Sequence, residues 1–521
     1  MSDSLEHSLV TLGSHGAGIW QDMLTGLERE ALRATPNAQL SQSPHPQPLG
    51  SALTHRYITT DFSESLLEFV TPACNSVEGT LDWLADVHQF AAARIGDETF
   101  WNSSMPCQLG DASSIPIARY GTSNVAQMKT IYRRGLSHRY GRPMQAIAGL
   151  HFNFSMPQSF WSAFEALHAK TGNGSLQSAG YLALARNFRR LSWLVLYLFG
   201  ASPAMCRSFL DNTRGSLAEF DQDTLFEPYA TSLRMSDLGY SSNAQSGLAI
   251  SLNSIQDYVD DLTAAIMTPH QPYREIGVEV GGQWRQLNTS ILQIENEYYS
   301  SIRPKQIARS GERPTLALQR AGVAYVEVRC LDINPYEPAG ISASQCYFMQ
   351  ALLAYCLVRE SRLLERAELL EADNNYLVAA HSGRAPDLEL RRNGEPVQLE
   401  HWAEEILQAV EAVAETMSGS DGPHARSVRE QREVVQGHTE TISARLLREM
   451  ESAQQSFIEF TNNLSHTHRK HWLGLPLMPE ARFDLLRYEV TESLQKQQSI
   501  EESPQSSFED YLRSYYAVKP D

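Results

Sequence analysis

Several short segments of this chain carry charged residues at alternating positions of an otherwise strand-like sequence. In GLERE, Glu28 and Glu30 are two residues apart, which places both side chains on one face of a β-strand but roughly 200° apart around a helix. Only a strand makes these carboxylates a pair. In AYVEVRCLDIN, Glu327 and Arg329 share a strand face in the same way, and the intervening apolar residues take the opposite face. The pattern therefore predicts sheet strands with one polar face.

Two further segments fit this pattern. ITTDFSESLLEF contains Asp61 and Glu68, whose odd spacing puts them on opposite faces of one unbroken strand. Both can serve one site only if the chain bends between them. GLHFNFS alternates strictly between apolar and polar residues, with His151 on the polar face, which is typical of a half-buried strand.

Each of these residues also has a simpler interpretation. Acidic residues on a strand most often mark the solvated side of an antiparallel sheet, and an exposed Glu–Arg pair has small energetic value. Their repetition favours one shared site. If the polar faces converge, five carboxylates cannot all stay ionised without cations, because like charges raise one another's pKa. Oxygen ligands favour hard divalent ions, and Mg²⁺ beside an arginine is typical of phosphoryl transfer.

The charge balance and the cysteines restrict the partners and the compartment. The 521 residues include 43 Lys plus Arg and 61 Asp plus Glu, a net charge of −18, which argues against nucleic acid or an anionic membrane surface as the main partner. The six cysteines show no C-x-x-C spacing, so a disulfide framework is not indicated. The apolar segment 191–205 is shorter than the ~20 residues that span a bilayer. We expect a buried element there and a cytoplasmic protein.

The periodicities predict an α+β protein formed by a single domain, 1–521, that is sheet-rich over 20–340 and mainly helical over 341–521. Helices are predicted over 1–24, 76–98, 124–139, 159–200, 252–266, 345–380 and 400–465, with turns over 382–396 and 418–424. Strands are predicted over 149–157, 274–299 and 321–333. In the second of these, Glu295, Glu297 and Tyr299 would share a face. The chain lacks G-x-x-x-x-G-K-[ST], so any ATP is bound without a P-loop.

A series of longer motifs carries a family resemblance. In chain order, they include GLERE, LGSALTH, ITTDFSESLLEF, ARYGTSN, YGRPMQAIAGLHFNFS, YLFGASPA, YATSLRMSDLGY, LQIENEYYSSIRPK and YVEVRCLDINP. With them the chain resembles the bacterial glutamate–cysteine ligases of the stand-alone type, over most of 20–340 and more weakly beyond. The resemblance implies a glutamine synthetase-like fold, in which a curved, mostly antiparallel sheet is surrounded by helices.

The resemblance also implies a reaction and a metal centre. In this family, ATP phosphorylates the γ-carboxylate of L-glutamate, and the amine of L-cysteine displaces phosphate to give γ-glutamylcysteine, the first step of glutathione synthesis. The cofactor is Mg²⁺, with Mn²⁺ as a possible substitute. The implied metal ligands are Glu28, Glu30, Asp61, Glu68, His151 and Glu327. Arg329 corresponds to the catalytic arginine expected near the transferred phosphate.

The resemblance further implies a set of substrate-binding residues. The cysteine pocket would use Phe62, Tyr132, Leu136, Gln145, Tyr240 and Tyr299, whereas Arg133, Asn153 and Arg234 would bind carboxylate or phosphate groups. For Phe62 and Leu136, packing in the core is an equally strong interpretation. The chain departs from the family at Tyr298 and Ser301, where an apolar residue and proline are common, and both flank Tyr299.

Two other functions stay open on the sequence alone. One is a carboxylate–amine ligase of the same fold that uses a different amine, and the other is a metabolite sensor without catalysis. The presence of Arg329 together with Glu28, Glu30, Glu68 and Glu327 argues against the sensor. A protein that only binds a metabolite needs no metal cluster beside a phosphate-binding arginine. We expect a monomer whose partners are L-glutamate, L-cysteine and ATP, with no nucleic acid and no membrane.

Overall fold

The fold is described from a computed structural model, over residues 3–167, 175–210, 217–239, 244–245, 247–309 and 311–517. Its strands are β1 (Leu24–Ala34), β2 (Ile58–Thr60), β3 (Leu66–Val70), β4 (Thr99–Phe100), β5 (Leu150–Ser155), β6 (Ala204–Cys206), β7 (Ala218–Glu219), β8 (Thr224–Phe226), β9 (Glu279–Val280), β10 (Gln283–Trp284), β11 (Ile302–Lys305), β12 (Tyr325–Leu331), β13 (Glu389–Arg392) and β14 (Glu395–Gln398). The largest sheet carries the predicted acidic residues and has the strand order β11-β12-β5-β1-β3-β2, and β4 also pairs with β1.

Every strand pairing in this seven-stranded sheet is antiparallel. The long strand β1 lies at its centre and alternates as the sequence predicts. Leu27 and Ala31 are fully buried in the main core, so Glu28 and Glu30 project from the other face. The predicted bend between Asp61 and Glu68 is the turn that joins β2 to β3, where the backbone N–H of Asp61 donates to the carbonyl of Leu66 at 3.0 Å.

Helices surround the sheet. They are α1 (Asp3–Ser14), α2 (Val77–Ala92), α3 (Asn124–Tyr140), α4 (Gln158–Leu167), α5 (Leu176–Phe199), α6 (Ile255–Met267), α7 (Gln271–Ile276), α8 (Pro314–Ala321), α9 (Ala343–Val358), α10 (Arg366–Ser382), α11 (Leu399–Ser418), α12 (Pro423–Val435), α13 (Ile442–Ala453), α14 (Phe457–Gly474), α15 (Glu480–Glu502) and α16 (Phe508–Tyr516). The main core joins strand residues to α5, α9, α11 and α12. This arrangement confirms the predicted α+β class, and the single-domain organisation stays a prediction.

Helix α3 carries three of the predicted substrate contacts, Tyr132, Arg133 and Leu136. It begins where the hydroxyl of Ser123 accepts a hydrogen bond from the N–H of Ala126 at 3.4 Å, which satisfies one of the unpaired donors of the first turn. It ends at Gly141, whose φ of 83° favours glycine. Tyr132 and Leu136 are four residues apart and lie on one face of this helix.

The other helix predictions are largely confirmed within the described residues, with one correction in the first predicted helix. Only Asp3–Ser14 of the predicted 1–24 segment is an α-helix, because β1 begins at Leu24. The apolar segment 191–205 forms the buried end of α5 and continues into β6. In the part of the chain that the structure describes, no helix is long and apolar enough to cross a membrane.

Two sequence-based assignments are wrong. The predicted strand over 274–299 contains only the short hairpin β9–β10, and Glu295–Glu297 form a 3-10 turn. The segment 382–396 contains more than turns, because β13 and part of β14 lie within it and pair as a hairpin. The turn of that hairpin is Asn393–Gly394, and both residues have positive φ, as a two-residue hairpin turn requires.

Candidate active site

The register of four adjacent strands brings the predicted acidic residues together. On one side of β1, Glu28 is paired with His151 of β5. On the other side, Glu30 is paired with Glu68 of β3. Strand β12 places Glu327 opposite Asn153 of β5. Because directly paired residues of an antiparallel sheet point to the same face, these side chains form one polar surface.

Three of the predicted metal ligands lie close enough to share an ion. One ligand atom from each of Glu28, His151 and Glu327 lies within 4.8 Å of the other two. His151 Nδ1 is 3.1 Å from Glu28 Oε2 and 3.7 Å from Glu327 Oε1, while its Nε2 is 3.6 Å from Glu30 Oε1. Imidazole and carboxylate groups at this separation can act as ligands of a single cation.

Burial and mutual repulsion raise the pKa of two of these carboxyls. Burial raises the pKa of Glu68 well above its usual value, and the charges of Glu28, Asp61 and Glu30 raise it further. The pKa of Glu30 is also raised, first by burial and then by Asp61, despite opposing contributions that include His151. Without a bound metal ion, the carboxyls of Glu30 and Glu68 therefore hold a proton more readily than ordinary glutamates do.

Neighbouring basic side chains lower the pKa of the two carboxyls at the other end of the site, those of Glu327 and Glu28. Although burial acts against it, Lys305 and then Arg329 hold the pKa of Glu327 well below its usual value. Burial also opposes ionisation of Glu28, but the hydrogen bond from His151 lowers its pKa overall. These two carboxylates are therefore ready to act as charged oxygen ligands.

The residues present fit a hard divalent cation. They offer five carboxyl groups and one imidazole on a single surface, a donor set suited to Mg²⁺ or Mn²⁺. Asn153 donates through Nδ2 to Glu28 Oε1 at 2.9 Å, whereas its buried Oδ1 has no hydrogen-bond partner within the described residues. An unsatisfied buried oxygen beside this cluster suits an ordered ligand or water of a hydrated ion.

A cavity of about 530 Å³ opens above this surface. Ten of the predicted site residues line it, namely Glu30, Asp61, Tyr132, Arg133, Leu136, Gln145, His151, Arg234, Tyr299 and Arg329. The amide Nε2 of Gln145 donates to the hydroxyl of Tyr299 at 3.4 Å, so these two side chains form one wall. The volume suits a small-molecule site.

The remaining predicted residues are placed differently. Glu28, Glu68, Glu327 and Asn153 belong to the polar sheet surface but do not line the cavity. Phe62 is 1% exposed and packs in a core cluster, so its role as a substrate contact stays a prediction beside the packing interpretation. Tyr240 lies outside the described residues.

Arg133 and Arg234 hold the main chain around the site. Arg133 donates to the carbonyls of Thr60, at 3.4 Å, and of Asp61, which fixes the turn that presents Asp61. Arg234 is buried and donates to the carbonyls of Leu331 and Arg329 at 3.1 and 3.0 Å. Both guanidinium groups thus hold segments that carry predicted site residues, and both also line the cavity.

Sequence reasoning missed three basic residues of the site. Lys305 Nζ lies 3.0 Å from Glu327 Oε2, Arg303 lines the cavity, and Arg189 lines it while donating to the hydroxyl of Ser301 at 3.0 Å. The signal for Lys305 was the segment IRPK, which forms β11 beside β12 and pairs Arg303 with Glu327. Arg189 had no local signal, because only the tertiary fold brings α5 to this position.

Glu295 and Glu297 do not share a strand face with Tyr299. Glu295 accepts from Arg313 and Thr315 at 2.8 and 2.7 Å, and Glu297 is paired with Arg139 at 3.1 Å. Both are buried within the 3-10 turn and its surroundings. Their carboxylates therefore neutralise buried arginines, and Tyr299 reaches the cavity from the segment that follows.

Comparisons with known proteins agree with this geometry. A model of the family described as glutamate-cysteine ligase matches residues 10–378. The chain is 46% identical to the glutamate–cysteine ligase of Pseudomonas putida strain W619 over 99% of both chains. It is 45% identical to that of Alcanivorax borkumensis over 97% of this chain and 98% of the relative.

Solved structures match as well. A crystal structure of glutamate–cysteine ligase from Francisella tularensis in complex with AMP superimposes with a TM-score of 0.90 and 36% identity, covering 95% of this chain and 98% of that one. A bifunctional glutathione synthetase from Pasteurella multocida gives a TM-score of 0.73 at 23% identity over 93% of this chain and 58% of that one, which shows the shared fold alone. This chain belongs to the glutamate–cysteine ligase family, which joins glutamate to cysteine at the expense of ATP in the synthesis of glutathione.

Proposed function

We propose that this chain makes γ-glutamylcysteine through a γ-glutamyl phosphate formed on the polar face of the central sheet. The observation that carries the proposal is the cluster of Glu28, His151 and Glu327 within 4.8 Å, with Arg329 NH1 donating to Glu327 Oε1 at 2.9 Å. A carboxylate cluster beside an arginine at the base of a cavity suits the transfer of a phosphoryl group to a carboxylate.

The residues that would hold the metal are the six that the sequence predicted, Glu28, Glu30, Asp61, Glu68, His151 and Glu327. We propose Mg²⁺, with Mn²⁺ as a compatible substitute, because oxygen donors predominate and a single imidazole accompanies them. When bound, such an ion neutralises charge on the phosphate oxygens. Five of these six residues lie on paired strands, which hold them in register, and Asp61 lies on the turn that joins β2 to β3.

We propose that two basic side chains, Arg329 and Lys305, bind the phosphates of ATP. Arg329 is 26% exposed through its side chain and Lys305 is 24% exposed, so both reach solvent while each contacts one oxygen of Glu327. We assign Arg329 to the transferred phosphate, because its planar fork can donate two parallel hydrogen bonds. The crystal structure of the Francisella tularensis relative with AMP supports an adenine nucleotide as the co-substrate.

The amine substrate would lie between α3 and the segment that contains Tyr299. Tyr132 and Leu136 offer an apolar surface, and the Gln145–Tyr299 pair offers polar groups across the same cavity. Phe62 and Tyr240 are the other members of this proposed cysteine pocket. Glutamate would be oriented by Arg133, Asn153 and Arg234, which line the cavity or contact its acidic floor.

The proposal is tested by phosphate release with ATP and glutamate while the amine is varied. We expect cysteine and its small analogues to give the fastest turnover, with formation of a γ-glutamyl product verified by mass spectrometry. Equal rates with unrelated amino acids would overturn the assignment of cysteine and favour a ligase with a different amine. Tight binding of nucleotide with no turnover would favour the sensor.

We also propose that the enzyme is a cytoplasmic monomer with small-molecule partners. All six cysteines are free, and five of them are buried, which suits a reducing compartment. Sedimentation at several concentrations tests the oligomeric state, and an increase of mass with concentration would contradict the monomer. Localisation of the tagged full-length chain tests the compartment.

A further inference from the structure

The C-terminal helix α16 packs against α3. Leu512 of α16 is buried in a small cluster with Met128, Ile131 and Leu287. The rings of Tyr511, Tyr515 and Tyr516 cover this cluster, and Tyr132 also packs against it. Since Tyr132 lines the cavity, a single α3 side chain contacts both the apolar cluster and the active site.

A buried glutamine links the C-terminal helix to α3 by hydrogen bonds. The hydroxyl of Tyr516 donates to the carbonyl of Gln293 at 2.7 Å, and Gln293 Nε2 donates to the carbonyl of Tyr132 at 3.1 Å. A Cβ at Gly135 would lie 2.1 Å from Gln293 Oε1, so the helix approaches this side chain as closely as glycine permits. Two hydrogen bonds therefore separate the C-terminal helix from a residue of the cavity wall.

The chain between α15 and α16 holds the beginning of α3. Gln505 Oε1 accepts a hydrogen bond from the backbone N–H of Asn124 at 2.5 Å, and Asn124 Nδ2 donates to the carbonyl of Ser506 at 3.0 Å. Glu501 Oε1 accepts from the N–H of Thr122 at 3.0 Å. The first turn of α3 is thus fixed by the same segment that contacts its middle.

We propose that residues 501–516 are a positioning element for the amine side of the active site, which holds α3 so that Tyr132 and Leu136 meet the amine substrate. The inference rests on the proposed function for the identity of that substrate. All of the proposed metal ligands except Asp61 lie on strands of the sheet, and the C-terminal segment makes its contacts with 122–132 and with 284–294. Loosening this segment should therefore weaken amine binding more than nucleotide binding or phosphoryl transfer.

Tyr516→Phe is the test variant, because it removes one hydroxyl and keeps the ring. Tyr515→Phe is the matched control, since the Tyr515 hydroxyl makes no hydrogen bond within the described part of the chain, and Leu512→Ala is a second, independent variant. Tyr516→Phe removes two hydrogen bonds, the one donated to the carbonyl of Gln293 and the one accepted from Asn288 Nδ2 at 2.9 Å. We expect the KM for cysteine to rise roughly two- to ten-fold, the range that corresponds to the one bond that leads to α3. Leu512→Ala should raise it at least as much, while kcat and the KM for ATP stay near those of the unmodified enzyme.

Hydrogen exchange supplies a readout that does not need activity. The amides of 124–136 should exchange faster in Tyr516→Phe than in Tyr515→Phe. An unchanged KM for cysteine in both test variants would overturn the inference, as would a proportional change of all kinetic constants together with a lower melting temperature. If the unmodified chain fails to use cysteine, the proposed function fails, and the exchange of 124–136 alone decides whether the C-terminal segment holds α3.

Discussion

Replacing Arg329 with lysine separates the role of its charge from the role of its shape. The guanidinium group contacts Glu327 Oε1 through NH1 at 2.9 Å, and its side chain is 26% exposed toward the cavity. Lysine would keep the positive charge and the ion pair with Glu327. It would lose the second, parallel donor that a planar fork presents to a phosphate.

The expected size of the effect follows from the loss of one hydrogen bond to a charged group. Such a bond contributes about 1.5–3 kcal/mol, and about 1.4 kcal/mol corresponds to a factor of ten in rate. Turnover in Arg329→Lys should therefore fall roughly 10- to 150-fold. The fold should be unchanged, because the charge that pairs with Glu327 is retained.

Steady-state turnover at saturating glutamate, cysteine and ATP measures this effect, and circular dichroism verifies the fold. Arg448→Lys is a suitable control, since Arg448 is 52% exposed through its side chain and pairs with Glu440 away from the cavity. Unaltered turnover in Arg329→Lys would refute the assignment of Arg329 to the transferred phosphate. An equal loss in Arg448→Lys would show that the assay reports general instability.

Three further predictions address the proposed ligands, the packing around the site and a histidine that pairs with two carboxylates, His381. Glu28→Gln and Glu327→Gln should each lower turnover by orders of magnitude without unfolding the chain, because an amide is a far weaker cation ligand than a carboxylate; near-normal rates would remove these residues from the metal site. Gly149→Ala should lower both stability and activity, since its Cβ would lie 1.9 Å from NH2 of Arg234, and a normal melting temperature and normal turnover together would show that the guanidinium moves aside. His381 has its pKa raised above 6.5, first by a hydrogen bond to a glutamate and then by a neighbouring aspartate, against the opposing effect of burial. The protonated His381 should therefore stabilise the fold in full below about pH 6.5, and this stabilisation should be lost as the pH rises through the elevated pKa. The free energy of unfolding in urea should fall less over this pH window in His381→Gln than in the unmodified chain. Identical pH profiles of the two proteins would contradict this role of His381.

Strand periodicity correctly predicted which acidic residues share a face of the sheet. The spacing of Glu28 and Glu30 fixes a common face on β1, and the odd spacing of Asp61 and Glu68 requires the turn that joins β2 to β3. These inferences succeed because alternation along a strand is a local property of the backbone. Alternation also predicted that Glu327 and Arg329 share a face of β12, and the resemblance then implied that Glu327 is a metal ligand.

Periodicity failed where the partners of a residue are distant in sequence. Glu295 and Glu297 alternate like strand residues, but their buried partners are Arg313 and Arg139, which only the tertiary structure brings near. Strand β6, which contains Cys206, escapes prediction for another reason. It is three residues long and pairs within a separate three-stranded sheet, so it has no long periodic segment. A two-residue period cannot distinguish these surroundings from an exposed strand.

The hairpin formed by β13 and β14 shows that some local signals were present but not used. Asn-Gly at 393–394 is a strong sequence signal for a two-residue turn, because both positions need positive φ. The flanking residues also pair directly, with Arg392 opposite Glu395. The segment is short and rich in charged residues, and for this reason its composition resembles a loop more than a strand.

The placement of the acidic residues on the central strand also explains why the site can be held accurately. Strand β1 is paired on both sides along the stretch that contains Glu28, with His151 on one neighbour and Val70 on the other. A slip of one residue would move Glu28 and Glu30 to the face that holds the buried Leu27, and it would expose that apolar side chain in the cavity. Because the core strongly disfavours this exchange, the packing that stabilises the fold also fixes the relative positions of the proposed metal ligands on the strands. The side-chain contacts of His151 and Arg329 then only need to select among the few rotamers that this register permits.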